Sequence, residues 1–263
     1  MADKINSIRI TKNDEIIELD GSSKQIWITV EENCSATVLD RVIKDKIIEI
    51  KCEKNSKIDF LSLQNSDLKS VLKIKKSAVV KDNAEINWFD CHFGGRQCNA
   101  ETHTFLNGSK SFSSSKCLFF GTESQQFNFC FRNIHDGEET KSSILVRGVL
   151  DGRANTFCKN LLNISKSANN SDGIQKSEIL LLNKDSKVFV LPELKINNNV
   201  KRCSHGVSIG NMDTEKLFYL MSRGFSKKDS VKQLITGFFA SILPTDSDKF
   251  AGEINKLIAD KIK

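Results

Sequence analysis

The most constraining feature of this chain is a short pattern that keeps returning: a polar turn residue, a small residue, then a run that alternates between apolar and polar side chains. It is seen in Asn33-Cys-Ser-Ala-Thr-Val, Asn55-Ser-Lys-Ile-Asp-Phe and Asn83-Ala-Glu-Ile-Asn-Trp. Alternation with period two marks a half-buried strand. The same signature appears in Ile8-Arg-Ile-Thr, Gln25-Ile-Trp-Ile-Thr-Val, Ile47-Ile-Glu-Ile-Lys-Cys and Val71-Leu-Lys-Ile-Lys. A repeat of roughly twenty to thirty residues suits a solenoid, in which each coil buries its apolar face on the next. A twisted antiparallel sandwich also accommodates alternating strands, and the spacing alone leaves both architectures open.

From about Asp213 the periodicity changes to that of helices. Asp213 predicts an N-cap with Glu215 in the first turn. Leu217, Phe218, Leu220 and Met221 form an apolar side, and Gly224 is a stop. Ser226 with Asp229 three residues later is a variant of the capping box. Val231, Leu234, Ile235, Phe238, Phe239 and Ile242 then form one amphipathic stripe. Pro244 ends it, and a third helix is expected from about Thr245 or Asp246, carrying Phe250, Ile254, Leu257, Ile258 and Ile262. Two parts are therefore expected: strands over 1–211 and a small helical domain over 212–263.

Composition excludes several classes. Lysine and arginine (39) exceed aspartate and glutamate (33), but the charges are mixed and basic clusters are short, as in Lys73-Ile-Lys-Lys-Ser. Such a mixed surface is a solvated one, and nucleic-acid binding would call for a concentrated basic stripe with interleaved aromatics. No apolar run has the length of a membrane span. The N-terminus lacks a secretory pattern, so the expected compartment is the cytoplasm. None of the eight cysteines forms a C-x-x-C pair, which argues against tetrathiolate zinc. In a reducing compartment most are expected to be buried thiols. Cys91, His92 and Cys98 invite a metal reading, but the intervening Gly94-Gly95 is explained by a turn.

The run Lys201-Arg-Cys-Ser-His-Gly-Val-Ser-Ile-Gly-Asn-Met-Asp-Thr-Glu-Lys-Leu-Phe-Tyr-Leu-Met-Ser-Arg-Gly closely resembles the end of the SufB/SufD core, where a C-S-H-G-A-T-x-G element precedes D-x-x-x-L-F-Y-L-x-S-R-G. Upstream, Asn133-Ile-His-Asp, Lys141-Ser-Ser, Gly148-Val-Leu, Gln175, Ile179-Leu-Leu-Leu and Pro192-Glu-Leu-Lys-Ile resemble the family in the same order. The resemblance implies a right-handed parallel β-helix followed by a small C-terminal helical domain. It also implies a non-catalytic scaffold that pairs with a SufB-type subunit and recruits a SufC-type ATPase in iron–sulfur cluster assembly. Tyr219, Arg223, Phe238 and Phe239 lie in the helix pair that carries the ATPase surface in the family, although Phe238 and Phe239 also suit an internal core.

The resemblance is nearest to SufD. Ser177 stands about where SufB-type chains carry a cysteine, and Cys203-Ser204-His205-Gly206 is the SufD form of the later element. It implies His205 as an iron or cluster ligand at the interface with SufB, where a transient cluster or iron would be held. Val207-Ser208 replaces Ala-Thr, and Phe157-Cys158-Lys159 replaces a phenylalanine-x-glycine, so that turn is expected to differ. The N-terminal helical region of longer members is not seen. By spacing, Cys203 and His205 share one face of a strand, and imidazole and thiolate are suitable ligands for iron or clusters. His135 is a further polar candidate at a coil edge. The clustered acids of a β-helix lyase and the hexapeptide coils of an acyltransferase are both missing.

Overall fold

The computed structural model describes residues 5–19, 21, 23–243 and 248–262. Among them are sixteen strands followed by three helices. One sheet holds β1 (Ile5–Ile10), β3 (Gln25–Val30), β5 (Lys46–Cys52), β7 (Val71–Val80), β9 (Gln97–Leu106), β11 (Gln126–His135), β13 (Asn155–Ile164) and β15 (Lys187–Ile196). The other holds β2 (Glu15–Leu19), β4 (Ser35–Val42), β6 (Lys57–Gln64), β8 (Glu85–His92), β10 (Phe112–Gly121), β12 (Lys141–Leu150), β14 (Asp172–Leu181) and β16 (Arg202–Asn211). Every strand pairs in parallel with the strand two positions along the chain, as β1 does with β3 and β14 with β16. The chain is thus a parallel β-solenoid, and the sandwich alternative is rejected.

The coils widen along the chain. Ile5 pairs with Gln25, a circuit of 20 residues, whereas Asn155 pairs with Lys187, a circuit of 32. The repeated polar turn residue has a conformational cause. Asn33, Asn55 and Asn83 adopt φ of 60°, 57° and 54°, and Asp14, Lys110, Glu139 and Asn170 take the same left-handed conformation before β2, β10, β12 and β14. Asparagine tolerates that region best among residues with a side chain. Its amides also stack: Asn55 Nδ2 donates to Asn33 Oδ1 at 2.9 Å and Asn83 Nδ2 to Asn55 Oδ1 at 3.2 Å. The small residue that follows is buried at the corner, as Ser56 and Ala84 are. Phe157-Cys158-Lys159 lies inside β13 and not in a turn, which corrects the expectation from sequence; the ladder is unbroken there.

The helices are α1 (Thr214–Ser222), α2 (Lys227–Ala240) and α3 (Asp248–Lys261). Asp213 Oδ1 accepts from the Glu215 and Lys216 amides at 3.0 Å. Ser226 Oγ accepts from the Asp229 amide at 3.1 Å and donates to the Asp229 carboxylate at 2.6 Å. Gly224 turns the chain with φ 94°. Pro244, Thr245 and Asp246 lie outside the described residues. The stripes of α2 and α3 do not form a core of their own. Ile235, Phe239, Ile242, Phe250, Ile254 and Ile258 pack on Leu61, Leu63, Phe89, Phe120 and Val149 of the even-numbered sheet. Arg147 fastens this layer: Nη1 donates to the Phe238 carbonyl at 2.8 Å, and Nε pairs with Glu178 at 2.5 Å. No described helix is long and apolar enough to cross a membrane.

The interior also carries charge. Lys46 pairs with Asp40, and Lys76 with Asp90, all four fully or almost fully buried. Lys76 also stands over the Trp88 ring at 4.9 Å. Desolvation pushes the Asp40 carboxyl up, and Lys46 opposes that shift. Lys76 belongs to the basic cluster that reads as solvated surface, so that reading is corrected: one of its lysines points inward because position 76 falls on the buried parity of β7.

Candidate functional site

The candidate site lies where the solenoid ends. On β14, Gly173, Gln175, Ser177 and Ile179 point inward. The register sets Cys203, His205, Val207 and Ile209 of β16 directly above them. Paired residues in a parallel ladder share a face, so Cys203 and His205 belong to one inward row, as the spacing predicts. Among the described residues no further coil covers this row. Val207 and Ile209 are 43% and 46% exposed, and His205 is exposed as well. Cys203 is half-buried against Leu162, Ile164, Ala168, Leu194 and Val200. Burial, followed by the Asp172 carboxylate, holds its thiol above the usual range, so a metal would have to displace its proton.

Ser177 is buried and accepts a hydrogen bond from Asn160 Nδ2 at 2.9 Å. On the other sheet, β15 is the last strand, and exposed Phe189 stacks on Phe157 with centroids 5.4 Å apart. The outward face of β16 is small: Ser204, Gly206, Ser208 and Gly210. A Cβ at Gly206 or Gly210 would meet nothing within 4 Å.

Of the other histidines and thiols, His92, His135, Cys52, Cys91, Cys98, Cys117 and Cys158 are buried, whereas His103, Cys34 and Cys130 are half-buried. His135 is buried, with Nδ1 bound to Thr140 Oγ1 at 2.7 Å and Nε2 to Ser142 Oγ at 2.8 Å, and burial lowers its pKa to about 4. It therefore fixes a corner and presents no group to solvent. Gly95, with φ 79°, makes the turn expected of the Gly94-Gly95 pair. Cys91 packs beneath the helices. Cys98 lies in the lumen 3.5 Å from His92 Nδ1, and burial brings Cys98 to about 12 and His92 to about 4, so both are neutral. Among the described residues no group of three or more histidine, cysteine or acidic side chains is arranged to hold a metal ion.

The expected docking residues divide. Phe218 is 73% and Tyr219 56% exposed on α1, with Met221 and Phe225 beside them. The Arg223 guanidinium lies 5.2 Å from the Tyr219 ring. Phe238 is half-buried under Arg147. Phe239 is fully buried and offers no docking surface, because its parity on α2 points at the sheet. A cleft of about 390 Å³ runs between α1 and α2, lined by Leu180, Met212, Lys216, Leu234 and Phe238. The exposed apolar residues Val207 and Ile209 are absent from the sequence-based site; only knowing that β16 is the last strand of its sheet would have marked them.

Comparison with known proteins agrees with this geometry. The family model described as "SUF system FeS cluster assembly, SufBD core domain" matches residues 9–238. An iron–sulfur cluster assembly SufBD family protein of the red alga Antithamnion is 24% identical over 251 residues, covering 92% of this chain and 84% of its own length. The SufD protein of Bacillus subtilis is 25% identical over 229 residues, covering 83% of this chain and 52% of its own. A SufBD family protein of Mycobacterium leprae is 23% identical, with 27% of its length matched. The chain thus spans about a quarter to a half of most of the curated relatives it matches. With the core model matching from β1 to α2 over a parallel solenoid that ends in an exposed Cys-Ser-His-Gly strand, the chain belongs to the SufBD core family of the SUF system for iron–sulfur cluster assembly.

Proposed function

We propose that the chain is a SufD-like, non-catalytic scaffold subunit that acts in the cytoplasm. Its open end pairs with a SufB-type subunit, its α1 region docks a SufC-type ATPase, and an iron–sulfur cluster or iron is the transient cargo at the interface. The observation that carries this reading is the uncovered inward row of β16. An edge strand with unpaired backbone groups is a template for another chain. Val207 and Ile209 offer apolar area to that partner, and the bare Gly206 and Gly210 let its backbone come close. His205 in this row would supply an imidazole nitrogen to the cargo, with Cys203 beside it in the same row. SufD is favoured over SufB by the hydrogen-bonded Ser177 at the position of the SufB cysteine.

The exposed Phe218 and Tyr219 support α1 as the ATPase surface. Such an apolar face with aromatic anchors is typical of an interface core.

The test is co-expression of this chain with a SufB-type and a SufC-type subunit, followed by cluster reconstitution. His205→Ala should leave the complex intact and reduce cluster yield sharply. Ile209→Lys should abolish pairing with the SufB-type subunit. Normal cluster yield from an intact His205→Ala complex would remove His205 from the site. If this chain alone forms a stable dimer that refuses the SufB-type subunit, a homodimeric SufBD scaffold is the better reading.

A further inference from the structure

Directly beneath His205 in the strand register lies Gln175. It is 2% exposed, and its amide is held by a hydrogen bond from Nε2 to the Glu193 carbonyl at 3.2 Å across the lumen. That bond settles the amide's orientation, because only the NH₂ end can donate to a carbonyl. The carbonyl end is therefore fixed too, and Oε1 is buried without a hydrogen-bond partner among the described residues. A buried acceptor left in this state is costly, and almost all such groups find a donor.

Directly below Gln175 on β12 lies Ile144, which has no donor, and the Ser142 hydroxyl in that row is bonded to His135 Nε2 at 2.8 Å. Of the inward neighbours above, Val207 has no side-chain donor, and the Cys203 thiol is a weak one that sits over Gly173. The imidazole of His205 has a strong N–H donor. Paired strands lie about 4.8 Å apart, so a rotation of the exposed ring would carry that N–H toward Oε1.

We infer that Gln175 is a positioning residue for His205: its Oε1 accepts the ring N–H, fixes one tautomer, and leaves the other ring nitrogen unprotonated and turned to the open end. A histidine that binds a metal commonly donates its second N–H to a fixed acceptor in this way, which sets ring orientation and basicity. The tautomer assignment depends only on Gln175 and His205. Its use in cluster assembly rests on the function proposed above.

The experiment is ¹⁵N NMR of the full chain with labelled histidine, titrated with pH, the His205 signals being identified by their loss in His205→Gln. One dominant His205 tautomer is expected in the unaltered chain. Gln175→Met, which keeps the shape and removes the acceptor, should return His205 toward the tautomer mixture of free histidine. Gln175→Glu, which keeps an acceptor oxygen in the same place, should hold the tautomer. A mixed tautomer population in the unaltered chain overturns the inference, even if a variant fails to fold. So does a His205 signal that is indifferent to Gln175→Met.

Cluster yield in the assembled complex then reads the functional part. Gln175→Met should lower it, and the double variant with His205→Ala should be no worse than His205→Ala alone. If the tautomer responds but His205→Ala leaves yield unchanged, the positioning stands and the site assignment of His205 falls.

Discussion

Strands β9 and β16 are both ten residues long and lie in the same kind of parallel ladder, yet they experience different surroundings. In β9 every second residue is buried, from Cys98 through Ala100, Thr102 and Thr104 to Leu106. In β16 no residue is buried, and Cys203 is the only one half-covered. The difference is not intrinsic to the strands. The inward row of β9 is roofed by β11, whereas that of β16 has no coil above it. The middle of the solenoid is therefore a place where substitutions act on stability, and its end is a place where they act on association. This contrast can be challenged by experiment.

The largest effect is expected from the buried charges. Lys76→Met leaves the Asp90 carboxyl buried in the lumen without its partner, which should cost about 3–5 kcal/mol in urea unfolding. The double variant Lys76→Met with Asp90→Leu should recover most of that loss. A small loss from the single variant would mean that water reaches this part of the interior.

Acid should come next. His92 and His135 have folded pKa values of about 4, depressed chiefly by burial, against about 6.5 in an unfolded chain. Between these values the unfolded state binds more protons, so stability rises with pH. The contribution is complete above about pH 6.5 and is lost as pH falls toward 4, to a limit of roughly 3 kcal/mol for each histidine. Replacing His135 by Gln should flatten that slope in thermal unfolding measured from pH 7 to 4.

A pair of glycines sharpens the comparison further. A Cβ on Gly148 would stand 2.0 Å from the Phe119 ring, whereas one on Gly206 would touch nothing. Gly148→Ala should cost about 1–3 kcal/mol by overpacking, and Gly206→Ala should leave the isolated chain's stability unchanged while weakening assembly. The smallest effect on folding should come from α1. Phe218→Ser with Tyr219→Ser should shift stability by no more than about 0.5 kcal/mol and, on the function proposed above, abolish capture of a SufC-type ATPase. Equal destabilisation by Gly206→Ala and Gly148→Ala would erase the distinction between the two regions.

Much of this was legible in the sequence because it depends on local chemistry. Asp213 and Ser226 declare helix starts through side chains that bond the next backbone amides, and they do so in the structure. The Asn33, Asn55 and Asn83 pattern marks a left-handed corner that few other residues enter readily. What was not legible depends on coverage. Alternation identifies the inward row of β16 but not that it stays open, and the apolar stripe of α2 does not say that Phe239 will be sealed against the sheet. Lys46 and Lys76 were missed for a related reason. A lysine on the buried parity of a strand looks like any surface lysine until its partner, Asp40 or Asp90, is brought opposite by the facing sheet.

The widening of the coils carries a consequence for symmetry. β1 has six residues and β15 and β16 have ten, so the narrow end seen in the structure and the wide end are not matched in length. Head-to-tail stacking would leave several residues of each wide edge without a partner, and an unending fibre is disfavoured. In the pairing proposed above, two wide ends of equal strand length would meet around a two-fold or pseudo-two-fold axis, and such a contact would be complete once formed. The taper thus gives a strand-edged protein a polarity that fits the proposed closed pair better than a polymer.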